Sequence, residues 1–348
     1  MELNENPIVS VVMPIYKHSE EQLTKAIDSI LNQTFPNLEL IITDGSDDNK
    51  NFEIISSVKD KRIKYFKING YINCLNYGIS QSKGKYIARM DSDDVAYPNR
   101  IEEQVKFLEE NPSVSLCSCL VKYIGAPKYQ RYSKNTREIT LLNIIKCQEI
   151  VHPTMIFRKE LNIKFEHIMP LEDCLLFRKL LLAGKKLEII DKILSENNIS
   201  NNSIMTRYPK LMELKKSEIN LYSLTKYYNY PLSFTDEIFK KKNFSKNDIL
   251  ELLNLIKFLN KKISKNIFDI YKISAPYIYY ACDKCKQKKQ IYFSPIYLQT
   301  FFLYNIRLLL NQCIRFVFSF YNHYIDDKKI KTICILGLKF KIKEIKEQ

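Results

Sequence analysis

Tyr86-Ile87-Ala88-Arg89-Met90-Asp91-Ser92-Asp93-Asp94 is the stretch that decides the fold. Its first five residues read as a buried strand, and three carboxylates crowd into the four positions where that strand ends. Short acidic side chains so placed repel one another and cost stability unless a cation or a ligand neutralises them. Their oxygen-only character favours a hard divalent ion such as Mg²⁺ or Mn²⁺ over zinc. In isolation Asp-x-Asp carries little weight, because a solvated acidic turn before a helix has the same residues and Asp caps helices well. The surrounding sequence supplies the weight.

Upstream, Ile8-Val9-Ser10-Val11-Val12-Met13 is an apolar run of strand length stopped by Pro14. Glu20 to Asn32 has helical spacing, with Leu23, Ile27, Ile30 and Leu31 on one face. Leu38-Glu39-Leu40-Ile41-Ile42 is a second strand, ending in Thr43-Asp44-Gly45-Ser46. A further helix, a short strand around Ile63-Lys64-Tyr65-Phe66 and a helix within Asn69 to Gln81 lead into the acidic strand. Such alternation predicts an α/β fold with a mostly parallel sheet and ligands at the strands' carboxyl ends. Pro14 to Tyr16, Asp44 and the Asp91 cluster all fall at such ends, so one cleft can collect them.

Taken in order, these pieces resemble a family 2 glycosyltransferase of the GT-A fold over residues 7 to about 200. The matching segments are Val11 to Tyr16, Ser29 to Phe35, Asp44-Gly45-Ser46, Cys74 to Ile79, Gly84 to Asp94, Pro98-Asn99-Arg100, Val151 to Thr154 and Leu171-Glu172-Asp173. The resemblance implies that Pro14 and Tyr16 line the base pocket, where a ring stacks on a flat uracil face. It implies that Asp44 accepts a hydrogen bond from the base. Asp91 would hold the ribose or assist the metal, Asp93 would be the direct ligand of Mn²⁺ or Mg²⁺, and Ser92 would join the nucleotide-sugar contacts. The ion would bridge the pyrophosphate and stabilise the charge on the departing diphosphate.

About eighty residues downstream, Leu171-Glu172-Asp173-Cys174-Leu175-Leu176 follows Pro170 and opens a helix. Capping alone explains acids at a helix start, but the resemblance makes Asp173 the general base that deprotonates the acceptor hydroxyl. One base and a departing diphosphate imply a single in-line displacement that inverts the anomeric centre. Glu172 would orient the acceptor or cap the helix. His152 contacts the acceptor or diphosphate, or serves as a hydrogen-bonded structural histidine. Arg89 and Arg100 pair with the acidic cluster or reach a phosphate, and Arg89 and Asn76 are placed near the nucleotide sugar. Two departures from the family pattern stand out. Thr43 replaces the first of two aspartates, and Ile68 stands where many relatives have an asparagine two residues before Gly70.

Composition narrows the subclass. With no Trp among 348 residues, the chain has no Gln-x-x-Arg-Trp signature of processive relatives. No run of about 18 apolar residues marks a membrane span. Residues 1–200 carry 27 Lys and Arg against 27 Asp and Glu, whereas residues 201–348 carry 27 against 12. The whole net charge of +15 therefore belongs to the second part, which says something about partners rather than fold. The expected organisation is a catalytic domain over residues 1–205 and a basic, mainly α-helical region over 206–348. In that region Ile249 to Ile263 has helical spacing, and Pro295 to Tyr324 reads as an apolar stretch with scattered arginines that can lie in a membrane interface or pack on the catalytic domain. The closing Lys328 to Lys343 mixes lysine with apolar residues as a basic tail attractive to anionic lipid. No nucleic-acid motif accompanies the basic charge, so nucleic acid is not an expected partner.

Nine scattered cysteines, with only a lone Cys282–Cys285 pair at metal-ligand spacing, suggest free thiols in a reducing cytoplasm. Met1 to Asn6 is polar and acidic rather than leader-like. The expectation is a non-processive, inverting, metal-dependent transferase on the inner face of the cytoplasmic membrane. It would move one sugar from a nucleotide sugar, with UDP the expected nucleotide, to a glycan or lipid-linked acceptor of a bacterial surface polysaccharide. Gly125 to Arg137 is the expected loop near that acceptor. The alternatives are a sugar nucleotidyltransferase, which should carry a glycine-rich loop where Met13 to Glu20 has no glycine, and a basic membrane-binding scaffold with a degenerate transferase domain.

Overall fold

The structure, a computed structural model, describes residues 6–17, 19–125, 139–141, 150–167, 171–198, 209–230, 245–262, 280–281, 318–325, 328–335 and 338–345. The expected loop over Gly125 to Arg137, apart from Gly125 itself, lies outside the described residues, as do Pro170, the Cys282–Cys285 pair and residues 295–317. The chain divides into two compact units, residues 1–219 and 220–348.

The first unit opens with strand β1 (Val9–Ile15), helix α1 (Glu20–Leu31), strand β2 (Leu38–Asp44), helix α2 (Lys50–Ser57) and strand β3 (Ile63–Lys67). Helix α3 (Tyr71–Gln81), strand β4 (Tyr86–Arg89), the short β5 (Val95–Ala96), helix α4 (Arg100–Glu110) and strand β6 (Val114–Ile124) come next. Strand β7 (Ile156–Arg158), helix α5 (Glu172–Leu182) and strand β8 (Lys186–Asn198) complete the sheet. Its eight strands run in the order β3-β2-β1-β4-β7-β6-β8-β5. The block β3-β2-β1-β4 is parallel, β7 pairs antiparallel with both β4 and β6, and β6 and β8 are again parallel.

All seven residues of β1 and of β2 are buried, as central parallel strands covered on both faces must be. Helix α1 turns Leu23, Ala26, Ile27 and Ile30 into the core and starts on a capping box in which Ser19 and Gln22 each satisfy the other's backbone N–H. Chain direction across the sheet reverses at β1, whose two neighbours are β2 and β4. This is the switch point at which open α/β sheets leave a crevice beyond the carboxyl ends.

Two glycines allow the close approaches that shape this crevice. A Cβ on Gly78 would sit 2.5 Å from Val12 Cγ1, so its absence lets α3 lie tight on β1. One on Gly84 would meet the Ser10 backbone nitrogen at 2.6 Å, where the chain entering β4 passes the start of β1. At that end Glu39 gathers Ser10 Oγ at 2.6 Å, the Lys83 backbone N–H at 2.8 Å and the Lys64 ammonium. Donors hold it charged despite its burial.

Helix α6 (Pro209–Tyr227) crosses the division between the units, and helix α7 (Lys246–Lys262) follows it. Along α7, Ile249, Leu252, Leu253, Leu255, Ile256 and Leu259 are buried. The second unit ends in an antiparallel three-stranded sheet of β9 (Phe318–Ile325), β10 (Lys328–Ile335) and β11 (Leu338–Ile345). Helices therefore form the described residues of this region up to 262, but two expectations for its end need correction. Phe318 to Tyr324 is strand rather than part of a helix, and the basic tail holds two paired strands, Lys328–Ile335 and Leu338–Ile345. The reason is periodicity: Leu338-Lys339-Phe340-Lys341-Ile342-Lys343 alternates with period two, and β-branched and aromatic residues crowd the stretch. Among the described residues, no helix is long and apolar enough to cross a membrane.

Candidate active site

Parallel register alone brings the expected Pro14 to Tyr16, Asp44 and Asp91 cluster to one edge, with Lys67 beside them. Ile15, Asp44 and Lys67 are register partners at the ends of β1, β2 and β3, and the acidic cluster follows β4 beside β1. Pro14 is the penultimate residue of β1, and its carbonyl accepts a hydrogen bond from the buried Ser92 hydroxyl at 3.3 Å. That bond ties the acidic turn to the base of the crevice. Tyr16, one residue beyond β1, is 52% exposed. A half-exposed aromatic at a strand end is available to a flat ligand.

Asp44 is completely buried, and donors surround both its oxygens. Oδ1 accepts from the Ser46 backbone N–H at 2.9 Å and from Asn51 Nδ2 at 3.2 Å. Oδ2 accepts from the Tyr65 hydroxyl at 2.7 Å and the Lys67 ammonium at 3.1 Å. Burial alone would raise the pKa, but the donors outweigh it and hold the carboxyl below the usual aspartate range. Asn51 also donates to the Tyr16 carbonyl at 2.8 Å. Tyr65, Lys67 and Asn51 were missed in the sequence; the signal for the first two was their i, i+2 spacing at the end of β3, which puts both on one side of the strand.

Carboxylate oxygens of Asp91, Asp93 and Asp94 lie within 4.8 Å of one another. Burial, followed by the charges of Asp91 and Asp93, pushes the Asp94 carboxyl up to about 8. Crowding of this kind is what a bound cation relieves. Strand β8 supports the turn through Asn198, whose backbone N–H donates to Asp94 Oδ1 at 2.9 Å and whose side chain donates to the Asp93 carbonyl. No sequence pattern pointed to Asn198.

Arg89 is the hub between this cluster and the rest of the cleft. Its side chain is 3% exposed, paired to Asp91 Oδ1 at 2.5 Å and donating to the Tyr71 hydroxyl at 2.8 Å. Burial opposes its charge, but Asp91, Tyr71 and Asp94 more than compensate. Its Nε and Nη1 have no hydrogen-bond partner among the described residues. Arg100, also fully buried, is structural: it donates to the Arg89 carbonyl at 2.5 Å and the Pro153 carbonyl at 3.1 Å, fastening β4 to the turn His152–Thr154.

Within that turn His152 is buried, its ring 5.2 Å from Phe165 and 6.4 Å from Phe177. Burial, then the Arg89 charge, pushes its pKa well down, so the imidazole is neutral. Asn76 lies behind it. Its Nδ2 donates to the Phe165 carbonyl at 2.9 Å while its Oδ1 accepts the Phe165 N–H at 2.8 Å. The asparagine thus clamps the chain that carries the ring against His152.

Glu172 and Asp173 are the first two residues of α5, directly after Leu171 in a left-handed conformation with φ 87°. A leucine there is strained, and surrounding structure must hold it. Asp173 Oδ1 accepts the Cys174 N–H at 2.7 Å. Burial, then the neighbouring Asp173, pushes the Glu172 carboxyl up to about 7; Arg89 and Asp91 also act on it. The buried Tyr71 hydroxyl feels Arg89, Asp91, Glu172 and Asp173 together. Two acidic groups about eighty residues apart in the chain therefore share one electrostatic neighbourhood around Arg89 and Tyr71.

Comparison with known proteins bears on the family and the fold. The model of the family described as Glycosyl transferase family 2 matches residues 10–171. The bifunctional glycosyltransferase pgtA of Dictyostelium discoideum is 25% identical over 355 residues, covering 84% of this chain and 46% of that protein. The uncharacterized glycosyltransferase RT0329 of Rickettsia typhi is 31% identical over 183 residues, covering 47% of this chain and 56% of its own length. The chain thus spans about half the length of these curated relatives. Among solved structures, S. aureus TarS 1–349 in complex with UDP-GlcNAc superposes with a TM-score of 0.56 at 19% identity, covering 97% of this chain and 99% of that one. The same protein in complex with UDP gives 0.54 at 20%. The likeness shows a shared fold, the GT-A fold.

Proposed function

We propose that this chain, which carries a family 2 glycosyltransferase domain over residues 10–171, moves one sugar from a UDP-sugar to a hydroxyl of a glycan or lipid-linked acceptor. The observation that carries the reading is the meeting of the Asp91 cluster and the Glu172–Asp173 pair around Arg89 and Tyr71, beside the Tyr16–Asp44 edge. UDP as the nucleotude's identity is supported by the fold shared with TarS, solved with UDP and UDP-GlcNAc.

In this reading Tyr16 stacks on the base over Pro14, and Asp44 accepts a base N–H. Asp91 and Ser92 face the nucleotide sugar, and Arg89, buried beneath, fixes Asp91 and adds its positive charge on the phosphate side. The donor set of Asp91, Asp93 and Asp94 fits a hard divalent ion such as Mg²⁺ or Mn²⁺, with Asp93 as direct ligand. Such an ion, when bound, supplies positive charge against the diphosphate. Asp173 takes the proton from the acceptor hydroxyl as its oxygen bonds to the anomeric carbon, and the carbon–oxygen bond to the diphosphate breaks on the opposite side. Inversion follows. Glu172 and His152 line the acceptor side, and Asn76, its amide spent on Phe165, positions His152 rather than touching the nucleotide.

The basic region supports an interfacial location. An enzyme acting on a lipid-linked acceptor of a surface glycan (lipopolysaccharide core, capsule or a lipid-linked oligosaccharide) works at the inner face of the cytoplasmic membrane, where anionic lipid attracts lysine-rich segments. The test is UDP release from a panel of UDP-sugars with Mn²⁺ or Mg²⁺, for wild type, Asp93→Ala and Asp173→Ala. Release from one donor, dependent on metal and lost in both variants, supports the reading. Release that survives in Asp173→Ala with acceptor present removes the assigned base, and absence of UDP binding sinks the transferase reading.

A further inference from the structure

Four donors saturate the Asp44 carboxylate, yet a base N–H must find a lone pair there. Three of them are held in place. The Ser46 N–H belongs to the turn after β2, Asn51 is itself buried and bound to the Tyr16 carbonyl, and the Tyr65 ring packs on Phe52 with centroids 5.2 Å apart. The fourth differs. Lys67 is 40% exposed on a flexible stem, while the carboxylate beneath it is 0% exposed. Its ammonium also reaches Ser46 Oγ at 3.0 Å and the Asp48 carbonyl at 2.5 Å, so it spans the mouth of the site from β3 to the turn.

We propose, resting on the nucleotide-sugar reading above, that Lys67 is a specificity-determining residue that covers Asp44 and exchanges places with the base. An incoming ring N–H takes over Asp44 Oδ2, and the released ammonium, anchored one strand away, donates to the carbonyl beside that N–H. The pair thereby reads an edge with a ring N–H flanked by a carbonyl, as uracil has. Cytosine presents the reverse, a bare ring nitrogen and an amino group. At the ring position it offers Asp44 no donor, and beside it an amino donor stands where the displaced ammonium needs an acceptor; buried polar groups left unpaired are the basis of strong discrimination.

UDP and CDP differ only at this edge, so calorimetric titration of the full chain with each is the test, on wild type, Lys67→Met and Lys67→Arg. Wild type should bind UDP at least about tenfold more tightly than CDP. Lys67→Met should lose about tenfold in UDP affinity while CDP stays within about threefold, and Lys67→Arg should recover part of the difference. Equal weakening of UDP and CDP in Lys67→Met would reveal a merely structural lysine and overturn the proposal, as would unchanged UDP binding. Either result, with UDP bound by wild type, leaves the nucleotide-sugar reading standing. Absence of binding of either nucleotide to wild type overturns both.

Discussion

Asn76 shows how a residue's neighbours bear on its role. Its amide pairs with both backbone groups of Phe165, so Asn76→Ala strips a donor and an acceptor of their partners at once. A loss of about 2 kcal/mol is expected in urea unfolding. UDP affinity should change less than in Tyr16→Ala, because both ends of the Asn76 amide are turned to the Phe165 backbone. Glu172 offers a pH test of the cleft's electrostatics. Its carboxyl ordinarily titrates at 4.5 but is pushed up to about 7 by burial and Asp173. The folded protein therefore keeps a proton that the unfolded chain releases within that window, and Glu172 takes stability away as pH rises through it. Glu172→Gln removes the titration. Relative to wild type, the variant should be about 1–3 kcal/mol more stable at pH 8 than at pH 4.5, read from urea melts at both. A stability difference that does not grow with pH would show that the glutamate titrates alike in the folded and unfolded chain.

Elements are placed by what they lack as much as by what they bury. Helix α3 meets β1 at Gly78, and the turn before β4 meets β1 at Gly84. Alanine at Gly78 improves helix propensity by about 1 kcal/mol but crowds Val12 Cγ1, and relief requires a shift of this stiff, buried side chain. A net loss of about 1 kcal/mol is expected. Alanine at Gly84 meets backbone at 2.6 Å and has no such escape; about 3 kcal/mol should be lost, together with the Gly84 N–H bond to Ser10 Oγ. Thermal or urea unfolding of the two variants checks the order, and Gly78→Ala proving the worse would refute it. Both glycines fall inside motifs quoted from the sequence, where their spacing was visible but their contacts were not. The C-terminal strands show the opposite case. Alternation in Leu338 to Lys343 was plain in the sequence, yet lysine at every second position reads equally as a solvated tail until pairing with β10 is seen.

For the molecule as a whole, charge is the property that makes a prediction. With 27 basic against 12 acidic residues after position 200, the full chain should sediment with vesicles containing anionic lipid. It should be released as salt rises well above physiological strength, because screening shortens the reach of exposed charge. Binding that is equal on neutral vesicles, or insensitive to salt, would point to apolar insertion instead. By itself the sequence determined the α/β class, the parallel strands β1 to β4, and the acids and aromatics brought to their carboxyl ends. Those follow from local periodicity and from the rule that register aligns parallel strand ends, and both are written along the chain. Only the tertiary structure decided which side chains are already engaged: Asp44 under Lys67, Asn76 on Phe165, Arg89 between Asp91 and Tyr71, Asn198 behind Asp94. All of these pairs except Arg89–Asp91 join distant parts of the chain, up to 104 positions apart. Their meeting depends on distances across the folded sheet, which no local pattern encodes.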